Sequence, residues 1–321
     1  MSMRNPFVMV VTFAAYVIGV CWWSDAAAQA QLDTVPDKLL RVCADPDNLP
    51  QSNDRGEGYE NKIAERLARD LGRTLEYTYF PQRIGFVRNT LRRQDPQTRQ
   101  YKCDVIIGVP KGYELTATTR PYMRSTYALL FRHRPELENL ATAEDLLKLP
   151  RDKLQALRIG LFAQSPGADW LLRNQLMDHA VFYAAQSGDP HETPATVVAR
   201  ELGAGAIDAA IVWGPVAAHL LRSHSEFPAW RAVPFTPDRQ IRFDYEISMG
   251  VRFGENEWKA MLDDWIAAHE QNVHEILAAY RIPLLDAQGN VKASFDSGER
   301  DRTNAVGKRI PLQPGSDGTT P

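Results

Sequence analysis

Apolar positions along this chain switch repeatedly between a strand-like and a helix-like period, and that alternation predicts an α/β fold. The densest pattern lies between residues 103 and 132, where the unbroken apolar run Val105 to Ile107 suits a strand buried on both faces. Gly108 and Pro110 end that strand. A polar loop and an aromatic-proline turn at Pro121-Tyr122 follow, and Tyr127 to Phe131 reads as a second strand that leaves the unit. Open α/β sheets bind ligands beyond the carboxyl ends of their strands, so the loop after Gly108 is a candidate cleft element.

Upstream, Leu39 to Ala44 reads as a short strand and Tyr59 to Leu71 as an amphipathic helix, with Ile63, Leu67 and Leu71 on one face and Gly72 as its stop. Thr74 to Phe80 alternates as a strand, Gly85 to Arg93 reads as a short helix, and Gln94 to Gln100 as a polar surface turn. Downstream of a connector from His133, Leu157 to Phe162 is a strand, and Ser165-Pro166 offers an N-cap and first-turn proline for a helix through Trp170. Thr196 to Leu202 reads as a helix and Ile207 to Trp213 as a strand, which Gly214-Pro215 breaks so that Trp213 is expected at a cleft rim. Arg242 to Val251 reads as a return crossing. Glu255 to Tyr280 reads as one long helix with Trp258, Met261, Leu262, Trp265 and Ile266 on one stripe. Residues 286–321 form an extension, of which Ser297 to Pro321 reads as disordered for want of periodicity.

Length and charge narrow the picture. The 321 residues suffice for two domains, and a net charge of −3 with 24% charged residues suggests neither nucleic-acid nor membrane-surface binding. Arg4, the apolar run Phe7 to Trp23 and Ala28-Gln29-Ala30 have the layout of a secretory signal peptide over residues 1–30, hence export to the periplasm and no membrane contact after cleavage. An uncleaved anchor is the alternative. Cleavage also removes Cys21 and leaves Cys43 and Cys103, which in an oxidising compartment are expected to pair; two separate buried thiols are the alternative. The first half of the chain is rich in arginine. Arg92, Arg93 and Lys102 read as a solvated face, whereas Arg83, Arg88 and Arg124 flank the expected cleft and suit an anionic ligand or acidic partner surface.

The run Asp104-Val105-Ile106-Ile107-Gly108, followed by Arg120-Pro121-Tyr122-Met123 and a strand, resembles the family 3 extracellular solute-binding proteins. The resemblance implies a type II periplasmic binding fold, two α/β lobes with a hinge and a central cleft. Residues 38–132 plus 246–285 would then form lobe one and 133–245 lobe two. In that family the loop after the Gly usually runs Thr-x-x-Arg, the Arg holding an amino acid carboxylate; here it runs Lys111-Gly112-Tyr113-Glu114-Leu115. The acid that commonly holds the amino group follows a strand like Ile207 to Val212, and here Trp213 stands in its place.

Leu40-Arg41-Val42-Cys43-Ala44-Asp45-Pro46, Asn48-Leu49-Pro50, Gly58-Tyr59-Glu60-Asn61, Pro81-Gln82-Arg83, Phe86-Val87-Arg88-Asn89-Thr90-Leu91, Arg124-Ser125-Thr126-Tyr127 and Trp213-Gly214-Pro215 resemble a narrower branch, the MxaJ/XoxJ group. Those are periplasmic binding-protein homologues that accompany quinoprotein (PQQ-dependent) methanol dehydrogenases. The resemblance implies an accessory protein that docks on such a dehydrogenase, with its cytochrome c as a further partner, and helps it assemble, load its cofactor or become active. The alternative is a solute receptor that delivers a small molecule to an ABC permease. The candidate cleft and partner-binding residues are Leu49, Tyr59, Arg83, Arg88, Tyr113, Tyr122, Arg124, Trp170 and Trp213, whose aromatic share suits a small apolar or aromatic ligand or a protein side chain.

Catalytic and metal signatures are absent from the sequence. There is no Gly-x-Ser-x-Gly, phosphate-binding Gly loop, His-Glu-x-x-His or Cys-x-x-Cys, and the seven His are scattered. Asp45, Asp47 and Asn48 start no twelve-residue calcium loop. The reading is therefore a non-enzyme with no cofactor or metal of its own. Some solute-binding relatives are dehydratases with a cleft acid, for which Glu60, Asp104 and Glu114 are the nominees. Their duller readings are a first-turn helix charge, a strand-end charge and a loop surface respectively.

Overall fold

Strand β1 (Leu39–Ala44) buries every side chain after Leu39, and the chain then makes a small hairpin of β2 (Asp47–Asn48) and β3 (Ser52–Asn53). The computed structural model describes residues 38–189, 191–224, 230–293 and 295. The expected signal segment and the tail beyond 295 lie outside them. Helix α1 (Tyr59–Asp70) follows, then β4 (Thr74–Tyr79), the single turn α2 (Phe86–Asn89), β5 (Val105–Pro110) and β6 (Ala117–Arg132). Next come α3 (Arg151–Gln155), β7 (Ile159–Phe162), α4 (Pro166–Arg173), β8 (Ala180–Tyr183), α5 (Pro194–Gly203), β9 (Ala209–Trp213), α6 (Gly214–Ser223) and β10 (Trp230–Pro234). The last described elements are β11 (Asp244–Val251), α7 (Asn256–Ala268), α8 (Glu270–Ala279), β12 (Leu284–Leu285) and β13 (Val291–Ala293).

The strands follow the order β4-β1-β5-β11-β6-β9-β7-β8, with β10 also paired to β6. One strand serves two lobes. The N-terminal part of β6 pairs antiparallel with β11 as far as Thr126↔Asp244, and from Tyr127↔Trp213 onward it pairs with β9 and β10 instead. Each lobe buries both faces of its sheet, so the unbroken apolar run of β5 is explained by helices on either side. On one face of lobe one, Ile63 and Leu67 of α1 pack with Trp258, Leu262, Trp265 and Leu277 of α7 and α8. On the other, Cys43, Phe86, Val87, Leu91 and Cys103 form a smaller core, and Cys43 and Cys103 are joined as a disulfide with Cα atoms 5.4 Å apart. Lobe two has the corresponding pair of cores, around Phe131, Trp170 and Phe235 on one face and Leu130, Leu202 and Ala217 on the other.

Several elements differ from the sequence reading. The expected turn at Pro121-Tyr122 lies inside the 16-residue β6, where the register against β11 shifts beside Pro121. A proline cannot donate to the ladder, and a bulge is where a strand tolerates that loss. The long C-terminal helix is two helices, because His269 leaves helical geometry at φ −118° and ψ 21°. Met261 falls off the buried stripe and is 41% exposed. The single turn α2 ends at Asn89, as Thr90 takes φ −120° and ψ −88°. Residues 286–295 were expected to belong to a C-terminal extension outside both lobes. Instead β12 and β13 pair, Leu284 joins the core of lobe one, and Phe295 is buried in a core of lobe two, so the chain passes between the lobes a third time.

Candidate functional site

The hinge is built from three consecutive side chains at the point where β6 changes partners. Arg124 Nε donates to Asp244 at 2.8 Å, and its Nη1 reaches the carbonyls of Asp286 at 3.3 Å and Ala287 at 2.9 Å. Ser125 Oγ donates to the Pro283 carbonyl at 2.6 Å, and Thr126 Oγ1 to the Phe235 carbonyl at 3.0 Å. The three passages between the lobes among the described residues are thus tied to one triplet.

Above the hinge lies a cleft of about 520 Å³. Lobe one contributes Asp45, Asn48, Gln51, Gln82 and Arg83; lobe two contributes Phe162, Gln164, Ser165, Gln186, Ser187, Asp189 and Glu192; and Tyr127 and Trp213 form its hinge end. Trp213 packs edge-on to Tyr127 at 5.5 Å and to Tyr245 at 5.9 Å, an aromatic wall at the carboxyl end of β9. Gln51 Oε1 and Ser165 Oγ are buried without a hydrogen-bond partner, although Ser165 occupies the N-cap of α4. Asp45 accepts from the backbone N–H groups of Asp47, at 2.9 Å, and Gln82. Burial raises its carboxyl above the usual range while those two bonds pull it down. Among the described residues three hydrogen bonds bridge the lobes at the mouth: His191 Nδ1 with Asp47 at 2.9 Å, Ile84 N to Gln186 Oε1 at 3.2 Å, and Arg83 Nη1 to the Gly188 carbonyl at 3.4 Å.

A second cavity of about 490 Å³ opens on lobe one beside this mouth, between α2 and the loop 111–115. Ile106 and Val109 of β5 line it together with Arg83, Arg88, Arg92 and Tyr113. Lys111, the only cation of the loop after β5, lines neither cavity and pairs with Glu246 at 3.1 Å.

Of the nine candidate residues, the cleft takes in Arg83 and Trp213, and the second cavity takes in Arg83, Arg88 and Tyr113. The other five are elsewhere. Tyr59 and Tyr122 are core residues of lobe one, 2% and 4% exposed, and Trp170 is 1% exposed in lobe two, stacked edge-on against Phe235 at 5.4 Å. Each sits on the inward face of its element, so its bulk fills a core. Arg124 belongs to the hinge, and half-buried Leu49, in the turn between β2 and β3, lines neither cavity. The sequence reading missed Gln51, Tyr127, Phe162 and Gln186. Phe162 closes β7 and follows the same strand-end rule that marked Trp213. Gln186 follows β8, a strand without a legible pattern.

The nominated acids separate clearly. Asp104 is fully buried and accepts from Arg41 Nε at 2.7 Å and Arg252 Nη2 at 2.6 Å, a structural knot within lobe one. Glu114 is exposed on its loop. Glu60 is no surface helix charge: it is 7% exposed, and burial pushes its carboxyl up to about 8, with the charge of Asp45 adding and a hydrogen bond from Tyr59 opposing. A Cβ on Gly108 would stand 2.1 Å from Glu60 Oε1, so the glycine of the Asp-Val-Ile-Ile-Gly run makes room for this acid. No group of three or more His, Cys, Asp or Glu among the described residues could hold a metal ion.

No protein-family model matches the chain. It is 28% identical to protein MoxJ of Paracoccus denitrificans over 258 residues, which span 77% of this chain and 89% of that one. The crystal structure of MxaJ from Methlophaga aminisulfidivorans MPT superposes with a TM-score of 0.59 at 26% identity, over 77% of this chain and all of the other. The periplasmic binding protein XoxJ from Methylobacterium extorquens AM1 superposes with a TM-score of 0.61 at 34% identity, over the same share of this chain and 100% of its own. With the two lobes, the hinge and the cleft in place, that likeness assigns the chain to the MxaJ/XoxJ-like periplasmic binding proteins.

Proposed function

We propose that this protein is an exported accessory factor of a periplasmic PQQ-dependent methanol or alcohol oxidation system, engaging the dehydrogenase and assisting its assembly, cofactor loading or activation. The observation that carries this reading is a binding-protein cleft without the two anchors of an amino acid. Trp213 stands where an acid would meet the amino group, and the loop after β5 brings no guanidinium into the cleft. A free amino acid there would lack the two partners its relatives use; Arg83, the guanidinium that does line the cleft, reaches the Gly188 carbonyl at 3.4 Å, and Asp45 already accepts from the backbone N–H groups of Asp47 and Gln82. Calorimetry of the mature chain against the common amino acids should give no low-micromolar isotherm, and one clear isotherm would overturn that part. Co-purification from the periplasm with a tagged PQQ dehydrogenase tests the partner, together with dehydrogenase activity in a deletion strain.

A second reading, solute delivery to an ABC permease, is favoured by the unpartnered Gln51 Oε1 and Ser165 Oγ of residues that line the same cleft as Tyr127 and Trp213, a setting for a small polar or aromatic molecule. Tight binding of such a molecule, with no effect of deletion on the dehydrogenase, would replace the first reading by this one.

A further inference from the structure

The two cavities differ in sign. The cleft mixes Arg83 with Asp45, Asp189 and Glu192, whereas the lining of the cavity on lobe one includes three guanidiniums and no carboxylate among the described residues. Arg88 is exposed and makes no ion pair with any described residue, and Arg92 spends one N–H on the Leu115 carbonyl at 2.7 Å, which fixes the loop 111–115 as the far wall. The floor, Ile106 and Val109, is apolar. On the rim, Ile84 is 89% exposed, Leu115 43% and Tyr113 36%. Arginine and tyrosine around an apolar pocket are the composition of protein-interface anchors. Gln186 of lobe two completes the rim through Ile84 N, so the face is whole only when the lobes are together.

We infer that this groove, rather than the cleft between the lobes, is where the partner docks, and that it accepts an acidic segment of the dehydrogenase carrying an apolar side chain. The carboxylates meet Arg88 and Arg92, and the apolar side chain fills the floor beside Tyr113. The inference rests on the accessory reading above. It goes further in naming the face, the sign of the partner's charge and the lobe-closed form as the one that binds.

The test is equilibrium binding of the full mature chain to the purified PQQ dehydrogenase of the same periplasm, at low and at physiological salt. Arg88→Glu is expected to weaken binding about tenfold and to slow association, with the loss shrinking as salt rises. Arg88→Lys, which keeps the charge, should recover most of it, and Arg151→Glu on lobe two, an equal change of charge at an exposed residue that lines neither cavity, should bind as wild type does. Melting curves of all four proteins exclude unfolding as the cause. Binding within twofold of wild type for Arg88→Glu, or an equal loss for Arg151→Glu, overturns the groove while leaving the accessory reading intact. Absence of any binding by wild type overturns both.

Discussion

Glu60 carries the clearest pH signature of any single residue. Burial holds its carboxyl at about 8 against an ordinary 4.5, so at neutral pH it is protonated in the folded chain and ionised in the unfolded one. Its contribution to stability is therefore complete below the ordinary value, declines as pH rises toward 8 and stays flat above. Glu60→Gln keeps the shape and removes the titration. The melting temperature of wild type relative to this variant should fall between pH 5 and pH 8, and parallel curves would refute the assignment. Asp104 calls for the opposite substitution effect. Asp104→Ala leaves Arg41 and Arg252 buried without their shared carboxylate and should cost about 3–5 kcal/mol in denaturant unfolding. Neither role was legible in the sequence, because the partners of Asp104 lie 63 and 148 residues away and nothing local marks Glu60 as buried. The same holds for Tyr59, Tyr122 and Trp170. Residue type makes an aromatic a candidate for a cleft wall, but only packing decides which side of its element faces inward.

Elements were legible where an apolar period ran long enough. The strand Leu39–Ala44, the helix from Tyr59 and the strand ending at Trp213 stand where the pattern placed them, whereas β10 is interrupted by Arg231 and ended by Pro234, and β8, at the end of the strand order, is only partly buried. Helix α6 was hidden by Gly214-Pro215, which reads as a break but also suits a helix start. That glycine supports a prediction at this scale. A Cβ there would stand 2.4 Å from the Thr126 carbonyl and 2.6 Å from Pro283 Cγ, two of the passages that meet at the hinge. Gly214→Ala should therefore lower stability by about 1–3 kcal/mol, since neither neighbour is the free end of a flexible side chain. An unchanged melting temperature would show that the hinge can yield. The disulfide links β1 to the segment before β5 across a separation of 60 residues. Replacing both cysteines by alanine should cost about 2–4 kcal/mol, read from chemical denaturation under oxidising conditions.

At the scale of the whole molecule, a two-lobed architecture was readable from strand and helix order together with the family resemblance, but the third passage between the lobes was not, because the segment from Leu284 to Phe295 is short and weakly patterned. Hydrogen bonds join the lobes at both ends of the cleft. At the hinge, Arg124 and its neighbours bind three passages of chain; at the mouth, His191, Gln186 and Arg83 hold the closed arrangement. Of the mouth contacts only His191 titrates near neutrality. Its hydrogen bond to Asp47, with the charge of Asp189 adding, raises it above the ordinary 6.5. Opening the lobes breaks that bond and returns the imidazole toward its ordinary value, so protonation favours closure. The advantage is fully present below the ordinary value and fades as pH rises through the raised one. Small-angle scattering between pH 5 and 8.5 should show the radius of gyration increasing with pH. His191→Gln, which cannot charge, should flatten that dependence, and Asp47→Asn should shift it toward the ordinary range. If the wild-type radius does not change with pH, the Gln186 and Arg83 bridges suffice to hold the mouth, and the histidine is a bystander on an exposed loop.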